Sequence, residues 1–260
     1  MAGQSIEQLT LSPTKVDTFQ GCRRLFKYKY LKPPFTPEEN KYFIIGNIAH
    51  RALELFHKKR VPPSNKVMGE CFKIAALAHR YKQKIKRGKV SYEDMQSIRE
   101  MLIKYITYLK RLNAQPKIEQ VEKLAKINVK GIEVWLKSDR IDKIGRNAYK
   151  VVDYKTGRPA TKKDELASVQ LPSYGLMIKQ KVNKNAKIRG EYIYVKHLSP
   201  RGGIHAYEIT DKMMQNAANK YVKVMEELKS GCKFMQNFQY KYCHFCDFKR
   251  YCLEDDDDGL

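Results

Sequence analysis

The chain has 260 residues, of which 42% are hydrophobic, and its 51 Lys and Arg against 28 Asp and Glu give a formal net charge of +23. This composition excludes a globally disordered chain, and with no apolar run long enough for a membrane span and no signal peptide we expect a protein of the cytoplasm or nucleoid. The positive charge favours a polyanion partner such as nucleic acid over the alternative of a generally lysine-rich surface.

The N-terminal half of the chain reads as a series of helices. Ser12 is the expected N-cap of the first helix and Pro13 its first residue. Apolar residues at helical spacing predict a second helix from about residue 42 to 59, and two more helices follow over 66–87 and 92–112. Because this region is dense in Lys and Arg, we expect it to form a cap or a clamp over an anionic substrate.

From about residue 118 the pattern changes to strands joined by turns. The predicted elements are strands at 118–129, 132–141 and 148–154, a helix at 164–181, strands at 188–197 and 204–209, and a helix at 211–229. This order predicts a single α/β domain over 1–260 with a helical insertion. We expect it to comprise a helical region (12–115), a core (116–230), a cysteine-bearing segment (231–253) and an acidic tail (254–260).

Two predicted antiparallel strands carry acidic residues to the same end of a sheet. Asp139 lies on one strand, and Asp153 lies on its partner directly after the β-branched pair Val151-Val152. Lys155 shares the strand face of Asp153. Two carboxylates can bind a hard divalent cation and a nearby ammonium can orient a water molecule, as phosphodiester hydrolysis requires. The less favoured alternative is a solvated hairpin with ordinary surface charges. Asp142 is a second candidate for the ligand on the first strand, and because Asp139 and Asp142 face opposite ways only one of them can point at the metal.

Helical positions carry weaker signals. His50 lies on the apolar side of the second helix, where a lone histidine is more often a half-buried structural residue than a ligand. Glu54 shares its face, and a surface ion pair is the favoured role for Glu54 over support of His50. Gln170 and Tyr174 share a face of a later helix and can bind a phosphate or a base edge, although taken alone they are more typical of structural residues.

Three of the six cysteines lie within ten residues near the C-terminus. They are Cys243, Cys246 and Cys252, and the best candidate for a fourth ligand is Cys22 at the other end of the chain. Four thiolates suit either tetrahedral zinc or an iron–sulfur cluster, and His244 can replace a cysteine in a zinc site. Cys71 and Cys232 are then left as buried thiols. Such a site would join the first helix to the C-terminal segment and stabilise the whole domain.

These motifs together resemble those of a known family. In order they are Gly46-x-x-x-His50, Asp139-Arg140-Ile141-Asp142, Val152-Asp153-Tyr154-Lys155-Thr156-Gly157 and Gln170-x-x-x-Tyr174. They are similar to the motifs of the RecB-type branch of the PD-(D/E)XK nucleases. The four cysteines resemble the split iron–sulfur staple of its cluster-containing members, which include AddB-type helicase–nuclease subunits and CRISPR-associated RecB-like exonucleases. The resemblance covers about residues 12 to 252.

The resemblance implies a restriction-endonuclease-like fold, with a mixed central β-sheet flanked by helices, a helical N-terminal region and an iron–sulfur staple. It implies that Asp139 and Asp153 bind Mg²⁺ or Mn²⁺, that His50 is a further ligand, and that the backbone carbonyl of Tyr154 completes the shell. It also implies that Lys155 positions the attacking water.

Further roles follow from the same resemblance. Gln170 and Tyr174 would hold the substrate strand or the lysine. Cys22, Cys243, Cys246 and Cys252 would hold a structural [4Fe–4S] cluster. One departure is that the family commonly has a glycine shortly before its first aspartate, where this chain has Leu136-Lys137-Ser138.

We therefore expect a metal-dependent DNA nuclease, most simply an exonuclease on single-stranded ends, with a role in repair, recombination or CRISPR spacer processing. The chain has no G-x-x-x-x-G-K-[ST] loop, so any unwinding would come from a helicase partner, and an integrase-type partner is also compatible. The alternatives are a non-catalytic nucleic-acid-binding module inside a larger assembly and a zinc-binding regulator.

Overall fold

The computed structural model describes residues 5–37, 39–112, 116–241 and 243–255. The α-helices within these residues are α1 (Pro13–Gly21), α2 (Arg23–Phe26), α3 (Lys41–Lys58), α4 (Asn65–Leu77), α5 (His79–Lys86), α6 (Tyr92–Arg111), α7 (Lys162–Ala167), α8 (Gln170–Lys181), α9 (Asp211–Lys229) and α10 (Lys249–Glu254). The strands are β1 (Ile118–Val129), β2 (Ile132–Gly145), β3 (Ala148–Lys155), β4 (Lys187–Tyr194) and β5 (Ile204–Glu208). None of these helices has the length and apolarity that a membrane span requires.

The five strands form one mixed sheet in the order β1-β2-β3-β4-β5. β1, β2 and β3 are successive antiparallel neighbours, β3 and β4 run parallel, and β5 is antiparallel to β4. The crossover between the parallel strands β3 and β4 contains α7 and α8. The predicted α/β class, with a mixed central sheet flanked by helices, is confirmed.

Each face of the sheet has its own hydrophobic core. Residues of α1, α8 and α9 surround the first core, and residues of α3, α4 and α6 surround the second. β3 contributes to both because its side chains alternate, so that Val151 enters the first core while Val152 and Tyr154 enter the second. Asp153 and Lys155 therefore project from the face of the sheet that α8 covers.

Local boundaries differ from the prediction at several places. The stretch predicted as one helix at 66–87 consists of α4 and α5, because Ala78 between them is extended with φ −54° and ψ 134°. The strand predicted at 188–197 ends at Tyr194, where the chain enters a 3₁₀ turn over Val195–His197. The N-cap of α1 is as predicted, since the hydroxyl of Ser12 accepts a hydrogen bond from the backbone N–H of residue 15 at 3.3 Å.

The predicted helix at 164–181 is divided into α7 and α8 by a contact with α1. The hydroxyl of Ser168 and the backbone N–H of Val169 both donate to the carboxylate of Asp17, at 2.6 and 3.1 Å. This break fixes the start of α8, and with it the position of Gln170. A contact with a residue about 150 positions away is invisible to local periodicity, which explains the wrong prediction.

The N-terminal helices and the C-terminal segment are joined through the buried side chain of Arg24. Its Nε donates to the carbonyl of Phe234 and its Nη1 to the carbonyl of Asp255, each at 2.8 Å. Asp255 belongs to the predicted acidic tail, so this part of the tail is bound to the domain. The rest of that prediction, residues 256–260, lies outside the described residues.

Candidate active site

The predicted acidic residues of β2 and β3 lie beside each other. Arg140 pairs with Val152 in the antiparallel register, so that Asp139 and Asp153 are cross-strand neighbours. Oδ2 of Asp139 also accepts a hydrogen bond from the backbone N–H of Tyr154 at 2.8 Å. The structure therefore brings both carboxylates to one place on the sheet.

Side chains of β3 and α8 surround the Asp153 carboxylate. Nζ of Lys155 lies 2.6 Å from Oδ2 of Asp153 and donates to Oε1 of Gln170 at 2.9 Å. Nε2 of Gln170 donates to Oδ1 of Asp153 at 2.6 Å and to the hydroxyl of Tyr174 at 3.1 Å. That hydroxyl donates in turn to the carbonyl of Lys137 at 2.9 Å. Gln170 and Tyr174 thus hold Asp153 and Lys155 in position. Residues from two separate sequence motifs, one on β3 and one on α8, are in contact here.

His50 reaches the same place from α3, and an acidic residue of β1 joins it. Nδ1 of His50 lies 3.3 Å from Oδ1 of Asp139. The ligand-capable atoms of His50, Glu122 and Asp139 all lie within 4.8 Å of one another. Among the described residues Asp153 is not part of this close group, and its carboxylate is paired with Lys155 instead.

Glu122 is a site residue that the sequence analysis missed. It lies within β1, but its φ of 48° is in the left-handed region, which costs a residue with a side chain about 1–3 kcal/mol and recurs at functional sites. Its carboxylate is buried (the side chain is 7% exposed) and forms an ion pair with Lys137 of β2. The alternation of a strand predicts the face of a side chain only where the strand geometry is regular. The sequence pattern therefore did not indicate that Glu122 lies at the site.

The charges of the site influence one another strongly. Burial favours the neutral form of Asp139, but the adjacent imidazole of His50 outweighs it and lowers the pKa of this carboxyl. Burial raises the pKa of Asp153, an effect that Lys155 opposes. Burial lowers the pKa of Lys155, but the Asp153 carboxylate outweighs this and holds the lysine pKa above its usual value. Lys155 is therefore an ammonium, suited to orient a water molecule or to stabilise negative charge.

The donor set fits a divalent cation. One imidazole nitrogen and two carboxylates suit Mn²⁺ or Mg²⁺. Opposite ligands of one ion with bonds of about 2.1 Å lie about 4.2 Å apart, and ligand atoms that are all within 4.8 Å of one another are close enough to share such an ion. His50, Glu122 and Asp139 would hold the cation, and Asp153 and the carbonyl of Tyr154 lie on the adjoining strand.

Replacing Glu122 by glutamine is expected to weaken Mn²⁺ binding by at least about tenfold, because residues that merely support a metal site already contribute this much. The affinity is measured by calorimetric titration of Mn²⁺ into the DNA-free protein. Glu119→Gln is the matched control, since it removes the same charge from an exposed position of the same strand. Equal Mn²⁺ affinities of the wild type and Glu122→Gln would exclude Glu122 as a ligand.

Two further acidic residues of the motifs lie outside this group. Asp142 forms an ion pair with Nε of Arg140 at 2.9 Å and with Lys150 at 3.5 Å, so the competition between Asp139 and Asp142 is resolved in favour of Asp139 lying at the site. Glu54 forms ion pairs with Arg51 at 2.6 Å and Lys58 at 2.5 Å, which is the role that was favoured for it.

A buried polar network lies behind the site, around the guanidinium of Arg140. Its Nη1 donates to the hydroxyls of Tyr105 and Tyr154 at 2.5 and 2.7 Å and lies 3.0 Å from Nε2 of His57. Burial lowers the pKa of His57 well below its usual value, so this imidazole is neutral and accepts the hydrogen bond. The network fixes the side chain of Tyr154, whose backbone N–H binds Asp139.

The four cysteines of the predicted cluster line one small cavity. The cavity is bounded by Cys22, Cys243, Cys246 and Cys252 together with Arg24, Tyr28 and Phe248. Burial raises the pKa of the Cys246 thiol and brings that of Cys252 to about 11, and the neighbouring cysteines contribute in the same direction. Cys71 is instead buried in the second core, and Cys232 packs beside the first. Although the four cysteines line one cavity, no three of their sulfurs lie within 4.8 Å of one another among the described residues.

Comparisons with known proteins found one matching sequence family and a solved structure of similar fold. The sequence model of the PD-(D/E)XK nuclease superfamily matches residues 10–253. A crystal structure named "Putative exonuclease", from Eubacterium rectale, superimposes with a TM-score of 0.56 at 13% identity over 93% of this chain and 87% of that one, which is a likeness of fold. The structure named SSO0001 has 17% identity over 88% of this chain and 92% of that one, with a TM-score of 0.33. No curated protein sequence matches significantly.

Proposed function

Because this chain belongs to the PD-(D/E)XK nuclease superfamily, we propose that it is a Mg²⁺- or Mn²⁺-dependent deoxyribonuclease of the RecB type that degrades single-stranded DNA from its ends. The observation that carries the proposal is the convergence of His50, Asp139, Asp153 and Lys155 from three separate elements. A site that had lost its activity would be expected to lack at least one of these groups, and here the set is complete.

A bound divalent cation supplies the charge that polarises the scissile phosphate and lowers the pKa of a water molecule. Water attacks phosphorus, the bond from phosphorus to the sugar oxygen breaks, and that oxygen leaves with a proton. The Lys155 ammonium orients the water and stabilises the negative charge that grows on the phosphate oxygens. Gln170 keeps Lys155 at its place, and Tyr174 anchors Gln170 to the strand β2.

The choice of a nucleic acid substrate rests on charge, and the choice of single-stranded DNA rests on the family resemblance. A net charge of +23 suits contacts with the phosphate backbone, which are independent of sequence. We assign the guiding role to the basic helical region 66–112 and the unwinding of duplex DNA to a helicase partner. The mode of attack is tested with linear and circular single strands of one sequence: an exonuclease degrades only the linear form, and equal loss of both would establish an endonuclease.

We further propose that the four-cysteine cavity holds a structural [4Fe–4S] cluster. Tetrahedral zinc with bonds of about 2.3 Å would hold its sulfurs about 3.8 Å apart. Within the described part of the chain no three cysteine sulfurs lie within 4.8 Å of one another, so the thiols are not gathered at the spacing of tetrahedral zinc, and the choice of an iron–sulfur cluster rests on the family resemblance. The cluster would strengthen the junction that Arg24 already makes between α2 and the C-terminal segment.

Cys246→Ser is expected to remove the brown colour and the bound iron and to lower the free energy of unfolding by about 2–5 kcal/mol, as the loss of a native cross-link does. The measurements are iron and sulfide content of anaerobically purified protein and its thermal unfolding. Cys232→Ser, which lies outside the cavity, is the control and is expected to retain the iron. Zinc in place of iron in the wild type would overturn the assignment.

A further inference from the structure

Two aromatic residues at the start of α3 are largely exposed. Phe43 is 60% exposed and Tyr42 is 70% exposed, whereas the apolar residues that follow them in the helix are buried in the second core. Large aromatic side chains rarely remain in water without a function when they occur together. The exposed rings of Tyr42 and Phe43 are therefore suited to bind a ligand with a flat apolar surface.

The position of Phe43 relates it to the catalytic site. Phe43 precedes His50 by seven residues, so the two differ by only about 20° around the helix and by about 10 Å along it. Gly46 lies between them, and a Cβ atom there would be 3.2 Å from Oγ1 of Thr156, the residue after Lys155. Phe43 therefore lies on the side of α3 that is turned towards the end of β3 and the proposed metal ligands.

Positive charge accompanies the aromatic pair. Nζ of Lys41 lies 5.4 Å from the centroid of the Tyr42 ring and 3.3 Å from the carboxylate of Asp94 in α6. The ion pair holds the start of α3 on α6, and with it the backbone from which both rings project. Aromatic rings near a cation can bind unpaired bases through stacking and their backbone through charge, and the cation here lies against Tyr42, the neighbour of Phe43.

We propose that Phe43, with Tyr42 beside it, stacks on an unpaired base of the strand whose phosphate lies at His50 and Asp139. The proposal rests on the proposed nuclease function and adds a physical reason for single-strand selectivity, because the faces of paired bases are already stacked. The stacked base lies about three nucleotides from the scissile phosphate, given about 10 Å along the helix and about 3.4 Å per stacked nucleotide. The contact reads no sequence, since every base has an aromatic face.

The test is binding of a fluorescent oligothymidylate to protein that also carries Lys155→Ala, so that the strand is not cut. Phe43→Ala and Phe43→Leu are expected to weaken binding by about five- to a hundredfold, whereas Phe43→Trp retains it. Leucine keeps apolar area without a flat face, so its failure separates stacking from general hydrophobicity. Ile144→Ala is the control, because Ile144 is 52% exposed near the end of β2 and lies outside both the site and the helical region 66–112.

A strand of the same length without bases completes the test. Its binding is expected to be the same for Phe43→Ala and for the parent protein. Unchanged oligothymidylate binding by Phe43→Ala, or equal weakening with both strands, would overturn the proposal while leaving the nuclease assignment intact. Failure of the wild-type protein to cut DNA would instead contradict the proposed function. This outcome is measured separately, in a DNA cleavage assay.

Discussion

Replacing Lys155 by alanine is expected to reduce DNA cleavage by at least about a thousandfold while leaving DNA binding almost unchanged. The Lys155 ammonium lies 2.6 Å from the carboxylate of Asp153, and it donates a hydrogen bond to Gln170 at 2.9 Å. It acts on charge that develops in the transition state, so its loss lowers the rate of the chemical step and affects affinity little. The measurements are single-turnover cleavage of end-labelled single-stranded DNA and fluorescence anisotropy of the same strand.

Lys179→Ala is the matched control for this prediction. Lys179 lies on α8 and pairs with the exposed Asp211, so its removal changes the net charge equally without touching the site. Its cleavage rate is expected to equal that of the wild type. If Lys155→Ala and the wild type cut at equal rates, the catalytic role given to this lysine is wrong.

Arg140→Met is expected to lower the free energy of unfolding by about 3–5 kcal/mol, the range for breaking a buried ion pair from one side. Among the described residues, the substitution leaves the buried carboxylate of Asp142 with the more distant Lys150, at 3.5 Å, as its remaining ion-pair partner. It also deprives the hydroxyls of Tyr105 and Tyr154 of their common donor. Chemical unfolding followed by circular dichroism measures the loss.

Arg189→Met provides the comparison at the surface. Arg189 is about half exposed and pairs at 3.2 Å with Glu191, which keeps a second partner in Lys150 at 3.4 Å, so the loss is expected to be at most about 1 kcal/mol. The two arginine variants are therefore expected to differ by several kcal/mol. A loss below about 1 kcal/mol for Arg140→Met would show that the Arg140 network contributes little to stability.

The period-2 pattern of the strands was sufficient to predict part of the site. The alternation in β3 places Asp153 and Lys155 on one face, and the hairpin from β2 brings Asp139 beside them. These positions follow from local geometry, because a strand fixes the face of every side chain once one is known. His50 could not be predicted in this way. Helical spacing alone indicated a half-buried structural residue, and only the family resemblance suggested that His50 lies at the site.

Other features depend on long-range contacts or on broken local rules. Glu122 enters the site through a left-handed residue inside a strand, which no periodic pattern encodes. The division between α7 and α8 depends on Asp17, far away in the sequence. The buried position of Arg140 contradicts the usual exposure of arginine, and only the arrangement of its tyrosine, histidine and aspartate partners explains it.

The central claim is that the carboxylates and lysine gathered at β2 and β3 hydrolyse DNA with the help of a divalent cation. The most direct test is degradation of end-labelled single-stranded DNA with Mn²⁺, Mg²⁺ or EDTA by anaerobically purified protein, beside Asp153→Ala and the surface control Asp211→Ala. We predict metal-dependent degradation by the wild type and the control, and none by Asp153→Ala or in EDTA. Degradation that persists in Asp153→Ala, or its absence from the cluster-loaded wild type with either metal, would contradict the account.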